Sequence, residues 1–337
     1  AASGADEAIA YDALKQAGRE KEWNKVMDLQ MRLQAMAFIL AMSVGAAVYD
    51  PRFMEQIFQW VGLALSFNRD LTIRIPAFLT LFMAVLSLTA GLKMQETHLP
   101  DDTCKPLEQC RRSIKEILGQ TLKAGRWILQ TPFAVVVIAA GFLFDGIIRM
   151  AITLSSQYYR LIAIPEALFG VIGSGIAVIG LIIPRIAMHM TNERSPLFNL
   201  IVVVALTLLG LFGMTFFLPV TGLIPVVALF AAMQMTGFFV SFYLNRITAS
   251  NQRATVLSFK GLSLNLSYGL VGLLYSVLLA FLRPQVAQQH AEAGSQALEN
   301  LIFIASLQWF PWVFLVGLAL FLLFALDKLY RDCLLYT

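Results

Sequence analysis

Charge is scarce in this sequence. Asp, Glu, Lys and Arg make up 14% of its 337 residues, where a soluble domain carries roughly 25%. Hydrophobic residues reach 58% and mean hydropathy is +0.71, a balance that excludes a water-soluble fold. Only three cysteines are present, Cys104, Cys110 and Cys333, so at least one is unpaired. The first two are separated by five residues, a spacing of neither zinc nor thioredoxin-type motifs. His98, His189 and His290 stand far from one another and from those cysteines, so no metal-ligand cluster can be written and neither metal nor cofactor is expected. There is no nucleophile elbow, P-loop or zinc-protease motif, and an enzyme is not expected. The net charge of +4 comes without a basic stripe or an RNA-type aromatic platform, so nucleic acid is not an expected partner. Basic loops are what a membrane protein uses to set its orientation. The chain starts at Ala1 without an initiator Met and without a signal-peptide pattern, which reads as a truncated or processed chain.

Long apolar runs fill the space that charge leaves. A spanning helix needs roughly 20 apolar residues to cross about 30 Å of hydrocarbon. Eight such stretches are expected, at 33–49, 71–92, 132–154, 166–188, 197–218, 221–243, 257–282 and 301–326. The fold class predicted is all-α and polytopic, with the lipid bilayer as the first partner. The run IFQWVGLALSF at 57–67 is too short to cross and is expected to lie on the surface. Trp60 and Tyr49 fit an interfacial aromatic belt, and Arg74 can snorkel from its span end.

Lys and Arg fix the expected orientation. One set of loops holds Lys15, Arg19, Lys21 and Lys25, the run from Lys93 to Arg126, then Arg185, Arg194, Arg246, Arg253, Lys328 and Arg331, while the opposite set holds Arg52, Arg69, Arg160 and Arg283. The positive-inside rule then puts both termini in the cytoplasm of a plasma or bacterial inner membrane. Between the second and third spans, 93–131 is one long connection. Its segment LEQCRRSIKEILGQTLKAGRWIL sets Leu107, Cys110, Ile114, Ile117, Leu118 and Leu122 on one helical face, as in a helix along the membrane surface.

Polar residues inside spans mark the candidate pathway. Asp145 is the sharpest, since a carboxylate at mid-span costs several kcal/mol and calls for a function or a partner. Arg149 follows four residues later on the same face, where the two can pair. The pair reads as a substrate-sensitive switch or as a structural lock. Gln234, Asn265, Tyr268 and Gln308 are further in-span polar residues, with Lys260 near a span end, and each reads as a pathway residue or an interhelical hydrogen-bonding group. Glu166 after Pro165 reads as a helix N-terminal acid. Gly170, Gly173, Gly175 and Gly180 form a small-residue stripe for close helix packing, and Pro219, Pro225 and Pro311 are expected to break or kink helices. Asp6, Glu7 and Asp12 read as solvated charge.

Three segments carry a resemblance. SGADEAIAYDAL at 3–14, FDGIIRMAITLSSQYYRLIAIPEALFG at 144–170 and NRITASNQRATVLSFKGLSLNLSYG at 245–269 resemble the end of the fourth helix, the seventh helix running into the eighth, and the start of the eleventh in a drug-exporter-like branch of the major facilitator superfamily. The resemblance implies that residues 1–92 are the remainder of an N-terminal bundle, 93–131 a cytoplasmic linker and 132–337 a six-helix C-terminal bundle, with helices five to twelve present. In that frame Asp6, Glu7 and Asp12 would face basic loops of the N-terminal part, and the loop IIPRIAMHMTNERS at 182–195 keeps little of the family's glycine-and-basic signature. The function implied is secondary transport of a small organic solute by alternating access, in the efflux direction, facilitative or coupled to protons. A non-transporting truncated or regulatory membrane protein is the alternative.

Overall fold

The computed structural model describes residues 2–49, 51–60, 62, 69–92, 119, 122, 125–165, 168–290, 292 and 294–335. Helix accounts for nearly all of them, and there is no strand among the described residues. The helices are α1 (Ala2–Gln16), α2 (Trp23–Tyr49), α3 (Pro51–Trp60), α4 (Arg69–Leu92), α5 (Pro132–Thr153), α6 (Ser155–Leu161), α7 (Phe169–Glu193), α8 (Pro196–Met214), α9 (Leu223–Ile247), α10 (Ser250–Gln289), α11 (Ser295–Leu307) and α12 (Phe310–Leu335).

Seven stretches among the described residues are long and apolar enough to cross a bilayer: Arg74–Leu92 of α4, the whole of α5, α7, α8 and α9, Gln252–Gln289 of α10, and Ser295–Leu329 across α11 and α12. The chain is thus an all-α, multi-pass integral membrane protein, in which backbone groups are satisfied within each helix. That is one stretch fewer than the eight expected. The remaining one, 33–49, is the C-terminal part of α2, which holds Gln34 and follows a first part carrying Asn24, Asp28, Gln30 and Arg32. The expected surface helix at 57–67 starts earlier, as α3, and its residues beyond Trp60 fall outside the described set apart from Gly62. Of the amphipathic face of the 93–131 connection, Leu107, Cys110, Ile114, Ile117 and Leu118 lie outside it, as do Glu166 and Cys104, and Leu122 is exposed.

Prolines act at helix starts. Pro132 and Pro196 occupy the first turns of α5 and α8, and the Ser195 hydroxyl caps α8 by accepting from the Phe198 N–H at 3.2 Å. Pro219 sits in the turn between α8 and α9, and Pro225 and Pro311 in the first turns of α9 and α12. None of the three kinks a helix interior; Pro76, Pro184 and Pro284 are the ones inside helices. The span expected at 301–326 is consequently two helices end to end. Pro311 has no N–H for the Leu307 carbonyl, and the Trp309 N–H turns to the Ser306 carbonyl at 3.2 Å in a tighter turn. At 40 residues, α10 is about 60 Å long at 1.5 Å per residue, so it projects beyond the membrane.

The innermost helices are α5 and α9, each with more than half of its apolar stretch buried. Ile148 of α5, Leu229 and Phe238 of α9 and Phe314 of α12 are fully enclosed, and the Phe144 and Phe314 rings meet edge to face at 5.4 Å. On one side of this core α2 lies along α7, and α4 lies against α2 with none of its apolar stretch buried. The α8–α9 turn is held by the short helix α6: the Tyr158 hydroxyl donates to the Gly222 carbonyl at 3.1 Å, and burial pushes its pKa up to about 12, which keeps that proton in place.

Association of helices in lipid depends on close packing, because the surroundings are as apolar as the helix faces. Of the glycine stripe, Gly173 faces Met42 and Gly180 faces Ala35 of α2, whereas Gly175 has open space where a Cβ would stand. Closer still is Gly210 of α8, where a Cβ would lie 2.5 Å from Leu229 Cγ and 2.9 Å from the Pro225 carbonyl oxygen of α9. Gly210→Ala should therefore lower stability by about 1–3 kcal/mol through overpacking against backbone. Gly175→Ala should raise it by about 0.5–1 kcal/mol through helix propensity. Thermal unfolding of the two variants in detergent checks this, and equal effects at the two positions would contradict it.

Candidate functional site

The i, i+4 spacing of Asp145 and Arg149 places both on the face of α5 that meets α10. Gly146 brings the helices together there: Ser267 of α10 fills the space of its missing Cβ, and the Ser267 hydroxyl donates to the Phe142 carbonyl at 2.5 Å. Asp145 is 7% exposed. One guanidinium nitrogen, Arg149 Nη2, donates to Asp145 Oδ1 at 2.7 Å and stands 2.6 Å from Oδ2 without the angle of a hydrogen bond. The other, Nη1, donates to Asn265 Oδ1 of α10 at 3.1 Å. The guanidinium is thus divided between two helices and does not form a two-bonded fork on the carboxylate. Asp145 Oδ2 keeps acceptor capacity.

Tyr268, one turn after Asn265, completes the group. Its ring lies 5.6 Å from the Arg149 guanidinium, within cation–π range, and its hydroxyl is 3.3 Å from the Thr153 hydroxyl. Asp145, Arg149, Asn265 and Tyr268 are brought together as a single cluster linking α5 and α10. Gln234 joins them across a cavity of about 200 Å³, which both it and Asp145 line. Gln308 is not part of the site; it is exposed at the break between α11 and α12.

The cavity lies between α1 and α2 on one side and α5, α9 and α10 on the other. Glu7 of α1, Gln30 and Gln34 of α2, and Ser241 and Lys260 are its further polar lining. Lys260 Nζ donates to Ser241 Oγ at 2.7 Å and lies 3.2 Å from Glu7 Oε1. Nearer the end of the bundle where α10 begins, Asp12 pairs with Arg253 and accepts from the Ser250 hydroxyl. Arg253 is 2% exposed, donates to the Thr248 carbonyl at 2.7 Å and stacks 4.0 Å from the Tyr11 ring centroid. Tyr11 in turn meets Trp23 edge to face at 5.2 Å, and burial pushes its hydroxyl pKa up against the pull of Arg253.

Glu7 and Asp12 are therefore not solvated, and their partners lie on α9 and α10. Sequence reasoning missed this because each pairing spans more than 230 residues and no periodicity encodes it. Gln30 and Gln34 left a readable signal, two polar residues at helical spacing inside α2. Asp28 and Arg32 repeat the same spacing and pair at 2.9 Å.

Removing one member of a buried ion pair strands the other. Arg149→Ala should cost about 3–5 kcal/mol of stability, and adding Asp145→Asn should recover most of it. A double-mutant cycle on thermal unfolding measures the coupling, and strictly additive losses would contradict the pairing. Comparisons of the chain with protein-family models, curated proteins and solved structures give no match.

Proposed function

We propose that this protein is a secondary transporter of the major facilitator type that moves a small organic solute, in the efflux direction, by alternating access. The observation that carries the reading is Asp145, the one member of the Asp145–Arg149–Asn265–Tyr268 cluster that lines the cavity between two groups of helices. A carboxylate held at mid-span beside a guanidinium and facing a cavity marks a solute or ion pathway in a membrane protein. The placement of that cavity agrees with the architecture the resemblance implies, with α1, α2 and α4 in one bundle, α5 to α12 in the other and the binding site between them.

The divided guanidinium gives the reading a mechanism. A cationic group, or a proton in a coupled cycle, that engages Asp145 Oδ2 competes with Arg149, which can then move toward Asn265 and the Tyr268 face. Breaking the pair alters the contact of α5 with α10. Glu7–Lys260 and Asp12–Arg253 hold α1 onto α9 and α10 at one end of the cavity, so a rocking motion that opens this end must part them. Both pairs then act as a gate whose closed arrangement is stabilised by charge-assisted hydrogen bonds.

A second reading is favoured by α4, which packs chiefly on α2 and has none of its apolar stretch buried among the described residues. A membrane subunit that transports only with further helices beside α4 would have this surface. Flux separates the two. Purified chain reconstituted in vesicles should move fluorescent organic cations down an imposed gradient faster than empty vesicles do, and Asp145→Asn should cut that rate by about tenfold, equivalent to about 1.4 kcal/mol. Folded protein that gives no more flux than empty vesicles would overturn transport by this chain.

A further inference from the structure

A second cavity, separate from the polar one, penetrates the bundle between α5, α8, α9 and α12. Its volume is about 350 Å³, within the range of about 300–1,000 Å³ for small-molecule pockets. Its floor is buried: Phe144, Val203, Phe239 and Phe321 are at most 7% exposed. Its rim is lipid-facing, formed by Leu197 of α8 and Leu326 of α12, 64% and 66% exposed. The cavity therefore opens sideways from the protein toward the hydrocarbon.

One polar pair stands in this apolar crevice. Asn199, 1% exposed, donates from Nδ2 to the Tyr243 hydroxyl at 2.7 Å, and its Oδ1 has no hydrogen-bond partner. The Tyr243 oxygen accepts in that bond, so its own hydrogen is available to donate. A buried acceptor, Asn199 Oδ1, is thus uncommitted beside a half-buried hydroxyl whose hydrogen is free, so the crevice offers polar groups that an occupant can meet.

Three basic residues lie next in sequence to residues of the lining without lining the crevice themselves: Arg194, two residues before Pro196 and with its guanidinium 5.3 Å from the Phe198 ring centroid, Arg246, one turn beyond Tyr243, and Lys328, beside Leu329. The first turn of α8 also points its positive dipole end there. Of the acids nearby in sequence, Glu193 lies 3.2 Å from His189 and Asp327 interacts with another group.

We propose that this crevice binds one acyl chain of an anionic glycerophospholipid from the leaflet at the basic end of the bundle. The chain fills the apolar floor, the ester region reaches the Tyr243 hydroxyl, and the phosphate rests among Arg194, Arg246 and Lys328. Bound there, the lipid wedges α12 against α8 on the side of α5 remote from the transport cavity.

Photocrosslinking tests the site. The full chain is reconstituted in phosphatidylcholine vesicles carrying a phosphatidylglycerol with a diazirine in its acyl chain, and labelled peptides are located by mass spectrometry. Labelling across 133–144, 196–203 and 321–329 should exceed several-fold that of the exposed apolar face of α10 at Leu262–Val277. Unlabelled phosphatidylglycerol should compete for the excess and phosphatidylcholine should not. Ala325→Phe, which fills the crevice, should abolish the excess. Tyr243→Phe, which keeps its volume, should weaken it, and decides the matter if the larger substitution fails to fold. Labelling that follows exposure alone, or equal competition by phosphatidylcholine, would mean ordinary surrounding lipid and would overturn the proposal.

Discussion

An ionised side chain held inside a bilayer must find its counter-charge within the protein, because the lipid offers none. Asp145 meets that requirement through Arg149 one turn away, and the choice of a neighbour on the same helix has a consequence for the packing. A self-contained pair needs no second helix for neutrality, so Arg149 has donors to spare, and it spends them on Asn265 and the Tyr268 ring of α10. The contact of α5 with α10 is thereby coupled to the charge state of one carboxylate. Gly146 makes the arrangement possible, since a side chain there would hold the two helices apart.

The same logic repeats at larger separation. α1 is short and carries Glu7 and Asp12 on the face that meets α9 and α10, where Lys260 and the buried Arg253 receive them. Neutrality here requires two distant parts of the chain to stay together. The two arrangements differ in kind: the Asp145 pair survives helix separation, and the α1 pairs do not. The proposed cycle uses both kinds: a central pair that a cation or proton can break without parting helices, and peripheral pairs that must part when α1 leaves α9 and α10.

Much of the central site could be read in the sequence for a geometric reason. Helical spacing alone puts Asp145 with Arg149 and Asn265 with Tyr268, and the cost of polar groups in lipid draws such faces toward the interior. Gln234 reached the cavity by the same rule. Gln308 did not, because Pro311 ends the helix that was to carry it inward and leaves it at an exposed junction. The pairings of Glu7 and Asp12 were hidden because their members are separated by most of the chain. The polar part of α2 was visible in the sequence as Asp28, Gln30, Arg32 and Gln34, the last of them within the apolar stretch expected to span. The Asn199–Tyr243 pair joins residues 44 positions apart on two helices, and only packing reveals that Asn199 Oδ1 is left over.

The central claim is that α1 and α10 separate at the basic end during a working cycle, and a distance measurement addresses it most directly. With Cys104, Cys110 and Cys333 replaced by Ser, spin labels at Lys15→Cys of α1 and Ala249→Cys at the start of α10 report that separation by pulsed electron paramagnetic resonance in vesicles. The account predicts one short distance in the otherwise unchanged chain and a second, longer population when Glu7→Gln and Asp12→Asn remove both charge pairs. A distribution that stays single and short in that variant would contradict it, since the pairs would then lock nothing that moves.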